Sequence, residues 1–591
     1  MSSLKEQLSQ LTADAFVACG YDAKYGNVAV SQRRELADYQ CNGALQAAKP
    51  YKKKPRDIAQ EVAAKLSEDA SFAEVSIAGP GFVNLRLSEQ FLSSHINHMA
   101  GDENGRCGVP TSQEPLSIIV DYGGANIAKP LHVGHLRAAI IGESLKRLCV
   151  FLGHKTLGDV HLGDWGLQMG QIIMELERRN PDWVYFDASF EGEYPSESPV
   201  TIDDLQEIYP AASARSKSDP EAKAAAQQAT SELQSGRRGY MALWQHFFDI
   251  SVGDLKHNYS QLDVHFDLWL GESHTQPLVA DMVQQLIDDG HAIYSDGALI
   301  VPVAEESDKK DMPPLMLVKS NESIGYGTTD LATLVQRMRD YDPDEILYVV
   351  DGRQQEHFKQ VFRAAYNSGI VPESTKLEHN YFGTMNGKDR KPFKTREGDV
   401  MRLDDLIQMI MSKAEERLEE IDAAADYDAT EKQEIARQVG IAALKFADLV
   451  NHRTGDYVFD LERFSSFEGR TGPYLLYAAV RTRSILRKAA DQGLQAGDII
   501  AAASDEEREL QLKLLELTDL LRFASETRAP NHLCEYAYSL AGAFNRFYAQ
   551  HHIINEENKA QQASWLGLSQ LTVDVLVLVL DLLGISVPER M

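Results

Sequence analysis

The sequence predicts an α/β protein of three domains, with a mostly parallel sheet at its centre. Strand and helix patterns alternate between residues 116 and about 385, as in a parallel sheet. A small α+β module precedes this region, and from about 400 to the end the pattern is helical with no clear strand. We therefore expect a small α+β domain over 1–110, an α/β domain over 111–400 and an all-α helical bundle over 401–591.

The N-terminal module combines helical and strand patterns. A polar helix pattern begins at "MSSLKEQLSQ", and "PRDIAQEVAAKLSE" (55–68) predicts a second helix. Two short strands are expected at "FAEVSIAG" and "GFVNLRLS", before a loop (101–115) rich in Gly, Asp, Glu and Pro. Within the central domain, residues 185–250 are acidic, rich in Ser and Ala, and helical, which indicates a surface insertion.

Composition indicates a soluble, cytoplasmic, reduced protein. The chain is 43% hydrophobic and 25% charged, which is typical of a globular enzyme. The apolar stretch 571–585 is too short to span a membrane and contains two aspartates, and no signal-peptide core opens the chain. Its five cysteines are odd in number and scattered, so neither a disulfide framework nor a zinc cluster is predicted.

The net charge of −29 argues against a protein that coats nucleic acid. It still allows a folded RNA to be held by local basic patches, such as "YKKKPR" (51–56) and "RTRSILRK" (481–488). Taken alone, either patch is most simply a solvated charged face.

Two histidines, His132 and His135, lie three residues apart in "ANIAKPLHVGHL" (125–136). An apolar strand pattern (117–124) precedes them and a helix pattern (136–153) follows, so they lie where open α/β sheets bind ligands. A zincin helix spaces its histidines four apart around a glutamate, so a metal site is not predicted here. Ordinary capping or packing histidines remain an alternative.

The N-terminus of that helix can bind phosphate. Its free N–H groups and partial positive charge attract anions, and imidazoles there can donate to phosphoryl oxygens. Gly134 would let a flat adenine approach the backbone. About 250 residues later, "FGTMNGKDRKPFKTREG" (382–398) supplies a glycine-interleaved basic loop that can close over a triphosphate. Its cations are Lys388, Arg390, Lys391, Lys394 and Arg396.

This pairing resembles the two signature motifs of class I aminoacyl-tRNA synthetases, "HIGH" (here HVGH) and "KMSKS". More narrowly, the chain resembles the arginyl-tRNA synthetases over essentially its whole length. The motifs that carry the resemblance are "NIAKPLHVGHLR", "HLGDWGLQMG", "YGTTDLA", "DGRQQEHF", "GKDRKPFKTREG", "NHRTGDYVFDLERFSSFEGRTGPYLLYAAVR", "LAGAFNRFY" and "LDLLGISVPERM". "GPGFVNLRL" and "DYQCNGA" match the family's N-terminal appended domain.

The resemblance implies a Rossmann-like catalytic domain and an ATP-dependent ligase that joins L-arginine to tRNA(Arg), with Mg²⁺ bound to the ATP. It also implies a monomer without a membrane partner. The catalytic residues implied are His132, His135, Lys129, Lys388, Lys391, Lys394 and Arg396. The ATP-binding residues implied are Ala125, Asn126, Ile127, Ala128, Pro130, Leu131, Val133, Gly134, Phe382 and Gly383. No metal ligand on the protein is predicted.

The arginine-binding residues implied are Asp121, Asn126, His135, Tyr326, Asp330 and Gln354. Carboxylates suit a guanidinium, because its planar fork of donors pairs with them bidentately. Three of these residues also have a structural alternative. Asp121 could cap the strand end, Asp330 could cap the following helix, and Asn126 could be a turn residue. The tRNA-binding residues implied are Gln40, Asn42, Tyr474, Arg481 and Met591.

The sequence departs from the family at two points. Gly124 and Ala125 stand where many members have Ser-Pro, and 393–396 reads FKTR where KMSK would stand. Lys129 occupies the place of a lysine thought to compensate for the second departure. Two other functions remain as alternatives: a catalytically silent tRNA-binding descendant, and a nucleotidyl transferase acting on a small acid, which would have no use for the outer domains.

Overall fold

The computed structural model describes residues 3–320, 324–391, 401–419 and 427–591. The chain forms two compact units. The first comprises Met1–Ser112, Asp422–Glu431 and Ser466–Met591, and the second comprises Gln113–Ile421 and Lys432–Ser465.

The N-terminal part of the first unit is an antiparallel sheet with four helices. Its elements are α1 (Leu4–Ala18), β1 (Val28–Val30), β2 (Tyr39–Cys41), α2 (Gly43–Tyr51), α3 (Pro55–Leu66), β3 (Phe72–Ala78), β4 (Phe82–Leu87) and α4 (Glu89–Ala100). The strand order is β1-β2-β4-β3, and the predicted α+β class is confirmed. Strands β1 and β2 were not predicted, because three residues are too few to display a period of two.

The central region alternates strands and helices. Between residues 113 and 465 the chain forms β5 (Ser117–Asp121), α5 (Val133–Phe151), β6 (Lys155–Asp159), α6 (Leu167–Arg179), α7 (Ile202–Ser218), α8 (Pro220–Gln234), α9 (Arg238–Gln261), α10 (Glu272–Asp288), β7 (Ile293–Ser295), β8 (Ala298–Val301), β9 (Leu315–Val318), α11 (Tyr326–Tyr341), β10 (Glu345–Tyr348), α12 (Gln355–Asn367), β11 (Lys376–His379), β12 (Met385–Asn386), α13 (Leu403–Glu419), α14 (Ala429–Leu449), β13 (Tyr457–Val458) and α15 (Leu461–Phe464).

The predicted parallel sheet is confirmed and has the strand order β11-β10-β5-β6. Its register places Tyr348, Asp121 and Asp159 side by side at the carboxyl ends of β10, β5 and β6. The apolar residues of β5 are buried, as expected of a strand covered on both faces. Strands β7–β9 form a separate antiparallel sheet.

The C-terminal part of the first unit is helical, as predicted. It contains α16 (Gly472–Asp491), α17 (Asp505–Leu515), α18 (Leu517–Glu526), α19 (Asn531–Gln550) and α20 (Lys559–Leu582). One correction concerns the region after residue 400, where no strand was expected. The two-residue strand β13 pairs in parallel with β12 in the second unit, and so short a strand carries no periodic signal.

A second correction concerns the apolar stretch near the C-terminus. It belongs to α20, a 24-residue helix and the one helix in the described part of the chain that is long and apolar enough to cross a membrane. Of its most apolar window, 72% is buried inside the structure. The core helix of a helical domain has the same composition, because it is apolar on most of its circumference.

Candidate active site

The two histidines cap the N-terminus of α5. The Gly134 N–H donates to His132 Nδ1 (3.0 Å), and the His132 N–H donates to His135 Nδ1 (3.1 Å). Because both Nδ1 atoms accept hydrogen bonds, each neutral ring carries its proton on Nε2. The histidines can therefore both cap the helix and bind a phosphate. Capping uses the two Nδ1 atoms, and the two Nε2–H groups are left as donors for a ligand.

Both imidazoles are held in the neutral form. Burial and the charge of Lys129 lower the pKa of His132. Burial and the neighbouring His132 ring, 4.0 Å away between centroids, lower the pKa of His135 to about 3. At neutral pH the pair therefore offers uncharged N–H donors at a helix N-terminus.

The segment before the histidines is held against "HLGDWG" (161–166). The Ile127 N–H donates to the Gly163 carbonyl (3.1 Å), and the Gly163 N–H donates to the Ala125 carbonyl (3.0 Å). A Cβ at Gly163 would lie 2.1 Å from Asn126 Oδ1, so a larger residue there would displace the Asn126 side chain. Ala128 has a φ of +59°, and its N–H donates to Ser251 Oγ (2.9 Å).

The predicted ATP-binding residues of this segment divide by exposure. Asn126 and Gly134 are exposed, and Pro130 is half-buried. The side chains of the others are buried, so they can offer a ligand only their backbone; these are Ala125, Ile127, Ala128, Leu131 and Val133.

Both ends of the basic loop are attached to this helix start. At the entry, buried Arg137 donates to the Gly383 carbonyl (2.7 Å), and its guanidinium lies 5.7 Å from the ring of buried Phe382. At the exit, the Val133 N–H donates to the Met401 carbonyl (3.1 Å). The Leu403 N–H likewise donates to the Leu131 carbonyl (2.9 Å).

The basic side chains themselves lie at the surface where they are described. Lys388, Arg390 and Lys391 are exposed, and Lys388 lies 3.2 Å from the Asp460 carboxylate. Lys394 and Arg396 lie outside the described residues. The Lys129 ammonium lies 4.6 Å from the ring of Tyr209 on α7.

Asp121 belongs to a buried acidic pair at the strand ends. Arg337 on α11 donates from Nη2 to Asp121 Oδ2 (2.5 Å) and to Asp159 Oδ2 (2.7 Å). Burial raises the pKa of the Asp121 carboxyl, while Arg337 acts in the opposite direction. One guanidinium thus faces two carboxylates in a site of low polarity.

Asp330 lies two turns before Arg337 on the same face of α11. Its Oδ2 is 2.6 Å from Nε2 of His357 on α12. Burial raises the pKa of Tyr348, and the Arg337 charge acts in the opposite direction. The charges of Asp121 and Asp330 both raise this pKa further, so the Tyr348 hydroxyl senses both carboxylates. Tyr326 is 76% exposed at the start of α11, and Gln354 is exposed just before α12.

Three family models match the chain. The model for the catalytic domain of class I (R) tRNA synthetases matches residues 102–461. The arginyl-tRNA synthetase N-terminal domain matches 2–87, and the DALR anticodon-binding domain matches 475–591.

Full-length relatives agree with the family models. The arginine–tRNA ligase of Alkaliphilus oremlandii is 54% identical and that of Hyphomonas neptunium 50% identical, each over 100% of both chains. The chain belongs to the arginyl-tRNA synthetase family. The predicted arginine–tRNA ligase is thereby confirmed, and a silent descendant gains no support.

Solved arginyl-tRNA synthetases share the fold. The Plasmodium falciparum structure is 24% identical with a TM-score of 0.82, and the Thermus thermophilus structure is 23% identical with a TM-score of 0.80. Each covers 100% of both chains.

In this synthetase, the residues predicted to contact tRNA line two small hollows of the first unit. Gln40 and Asn42 border a hollow of 160 Å³, where the Gln40 side-chain amide donates to Asn84 Oδ1 (2.8 Å). Tyr474 and Arg481 border one of 190 Å³. Met591 is half-buried at the chain end.

Several residues of this synthetase's site escaped the sequence analysis: Asp159, Arg337, His357 and Arg137. Asp159 lies two residues before the motif "HLGDWG". His357 and Arg137 lie in motifs that were recognised without a role for them. Nothing in the sequence indicated a role for Arg337, because an arginine at this position is typical of the polar face of an amphipathic helix. Within the described residues, no group of three His, Cys, Asp or Glu side chains is placed to hold a metal ion.

Proposed function

We propose that this chain activates L-arginine with ATP to form arginyl-adenylate and then transfers the arginyl group to the terminal adenosine of tRNA(Arg). AMP and pyrophosphate are the other products. The observation that carries the proposal is the attachment of both ends of the basic loop to the histidine-capped start of α5. This attachment brings the two described ends of the loop, at Gly383 and Met401, to the place where a helix N-terminus and two Nε2–H donors can bind a triphosphate.

In the first step, the arginine carboxylate attacks the α-phosphorus of ATP in line, and pyrophosphate leaves. Charge accumulates on the leaving oxygens, and His132, His135 and Lys129 are the donors assigned to them, with the basic loop closing from the other side. Mg²⁺ enters as part of the ATP substrate. In the second step, a ribose hydroxyl of the terminal adenosine attacks the acyl carbonyl, so no covalent enzyme intermediate is needed.

The arginine side chain is assigned to the carboxyl ends of the central strands. Asp121 and Asp159 share one guanidinium, that of Arg337, so the buried site has an excess of negative charge. A substrate guanidinium would compensate it, and Asp330 is the second acceptor assigned to it. Asn126, Tyr326 and Gln354 are exposed. They are assigned to the remaining polar groups of the amino acid.

The tRNA is assigned to the first unit. The hollow beside Gln40 and Asn42 has a volume of 160 Å³, and the hollow beside Tyr474 and Arg481 has a volume of 190 Å³. Unpaired bases are recognised by stacking on aromatic or arginine planes, which Tyr474 and Arg481 offer, and by hydrogen bonds to base edges, which the amides of Gln40 and Asn42 can make. We assign domain 1–110 to the tRNA body and domain 401–591 to the anticodon, and propose a cytoplasmic monomer.

The test is ATP–pyrophosphate exchange with each of the twenty amino acids, with and without tRNA. We expect exchange with arginine alone among them. Exchange with a different amino acid would retain the class I activity but contradict the pocket at Asp121 and Asp330. Folded protein that binds tRNA yet exchanges with no amino acid would overturn the proposal.

The role of His135 separates capping from catalysis. His135→Asn places an acceptor at the Nδ1 position but removes the Nε2–H donor, so we expect native stability and an exchange rate about 10²- to 10³-fold lower. His135→Gln restores an N–H near the Nε2 position and is expected to recover part of the rate. An Asn variant as active as wild type would contradict this assignment.

A further inference from the structure

The contact between Asp330 and His357 has a consequence for arginine binding. His357 Nε2 lies 2.6 Å from Asp330 Oδ2, and both side chains are partly exposed. A neutral imidazole with its proton on Nε2 can donate this hydrogen bond, and so can an imidazolium. The hydrogen bond therefore persists through the titration of His357, while the charge beside Asp330 changes.

The two carboxylates assigned to arginine are held in parallel ways. Asp121 Oδ2 accepts from Arg337, and Asp330 Oδ2 accepts from His357. In the described part of the chain, Oδ1 of either carboxylate receives no hydrogen bond and remains available to a ligand. The partners differ in one respect, because the Arg337 charge is permanent and the His357 charge is not.

We propose that His357 is a positioning residue that orients the Asp330 carboxylate for the substrate guanidinium and makes arginine affinity rise with pH as its imidazolium loses a proton. The inference rests on the proposed function, in which Asp330 accepts that guanidinium. An imidazolium beside Asp330 competes electrostatically with a cationic substrate, whereas a neutral imidazole only fixes the carboxylate.

The pH range follows from the site. The hydrogen bond to Asp330 raises the pKa of His357 above the ordinary histidine value. His132 and His135 have lowered pKa values, so they stay neutral in the same range. His379, whose ring lies 4.8 Å from Phe358, also has a lowered pKa because it is buried.

Glu272 also titrates in the same range and must be controlled, whereas His161, whose charge acts on Asp121 and Glu272, is kept in every variant compared. Burial, together with the charges of Asp164 and Asp330, raises the pKa of Glu272 to about 7. Its N–H, at the first residue of α10, donates to the Leu162 carbonyl (3.1 Å). Ionisation of Glu272 would also increase arginine affinity, so the two effects have the same sign.

The elements packed against α12 contribute further charged groups. These are Asp351 and Arg353 before the helix, Lys376 and Glu378 on β11, and Arg337, Arg339, Asp340 and Tyr341 on α11. Side chains of these types ordinarily keep one charge state between about pH 6 and about pH 8.5, so they add a constant field.

The experiment measures the affinity of the full chain for L-arginine by calorimetry between about pH 6 and about pH 8.5. In a Glu272→Gln background, we expect the dissociation constant to fall about tenfold across this range, which corresponds to a coupling of one pKa unit. Adding His357→Gln, which retains an N–H near the Nε2 position without a titratable charge, should remove that dependence. His98→Gln in the first unit is the matched histidine control.

Two results would overturn the inference: a flat profile for Glu272→Gln alone, or an unchanged slope after His357→Gln is added. The variant Asp330→Asn shows whether such a result concerns only the role of His357 or the proposed arginine pocket itself. If Asp330→Asn binds arginine as well as wild type, Asp330 is not the acceptor and the proposed site fails.

A measurement on Glu272→Gln alone serves if the double variant does not fold. Arginine binding near neutral pH should release protons from His357, which is detected as a heat that depends on the ionisation enthalpy of the buffer. Equal heats in all buffers would contradict the inference.

Discussion

Two buried arginines, one in each unit, pair with two carboxylates apiece, and the two clusters differ in how far those carboxylates are exposed to water. In the second unit, Arg337 faces Asp121 and Asp159, whose side chains are 10% and 2% exposed. In the first unit, Arg508 on α17 faces Asp38 and Glu89, which are 2% and 45% exposed.

Each cluster has two carboxylates and one guanidinium, so one negative charge in each is not neutralised. The environment of this extra charge differs between the two clusters. In the first unit it lies on half-exposed Glu89, where water solvates it. Asp38 accepts both the Leu87 N–H (2.8 Å) and Arg508 Nη2 (2.7 Å), and Arg508 Nη2 also donates to the Leu87 carbonyl (2.9 Å). In the second unit both carboxylates are buried at the strand ends, where an uncompensated charge is costly. Both arginines are buried, so the clusters differ in the exposure of the second carboxylate, and this difference is the basis for proposing a cation site at Asp121 and not at Asp38.

The largest effect is expected from Arg337→Met. It would leave Asp121 and Asp159 buried without a partner, so the free energy of unfolding should fall by about 3–5 kcal/mol. Chemical denaturation followed by circular dichroism measures this change. Adding Asp159→Asn should recover part of it, because only one buried carboxylate then remains. An Arg337→Met variant as stable as wild type would show that the pair is not desolvated as the structure indicates.

Arg508→Met should destabilise the chain less than Arg337→Met does, and it should leave arginine binding unchanged. Because Glu89 can be solvated and the Leu87 backbone keeps a bond to Asp38, we expect a loss of about 2 kcal/mol in the free energy of unfolding. The arginine KM in ATP–pyrophosphate exchange should stay within about twofold of wild type.

The KM of Arg508→Met for tRNA provides a second way to compare the Arg508 cluster with the Arg337 cluster. Asp38 lies two residues before Gln40, which is assigned to tRNA, so the KM for tRNA should rise. A matching rise in the arginine KM would contradict the division of labour between the two clusters.

Sequence patterns predicted elements better than contacts between them. The strand β5 and the histidine-capped helix α5 were predicted because apolar periodicity and a glycine-rich junction are local signals. The Arg337 cluster was not, because it depends on the parallel register that places Asp121 beside Asp159. Residues such as Arg337 and Arg508 look like ordinary polar faces of helices until tertiary packing buries them. The resemblance to a family supplied Asp121 and Asp330, but not the side chains that hold them.

The smallest effect is expected from Arg33→Ala, which provides the reference for the other two variants. Arg33 and Glu35 form a 2.9 Å ion pair with side chains 71% and 63% exposed, in the same unit as Arg508. Water screens both charges of such an exposed pair, so the midpoint of chemical denaturation should not differ measurably from that of wild type. If Arg33→Ala destabilised the chain as much as Arg508→Met, solvent exposure would not be what separates these ion pairs. The same argument would then fail for the carboxylates at the strand ends, because their assignment to a cationic substrate depends on their being hidden from water.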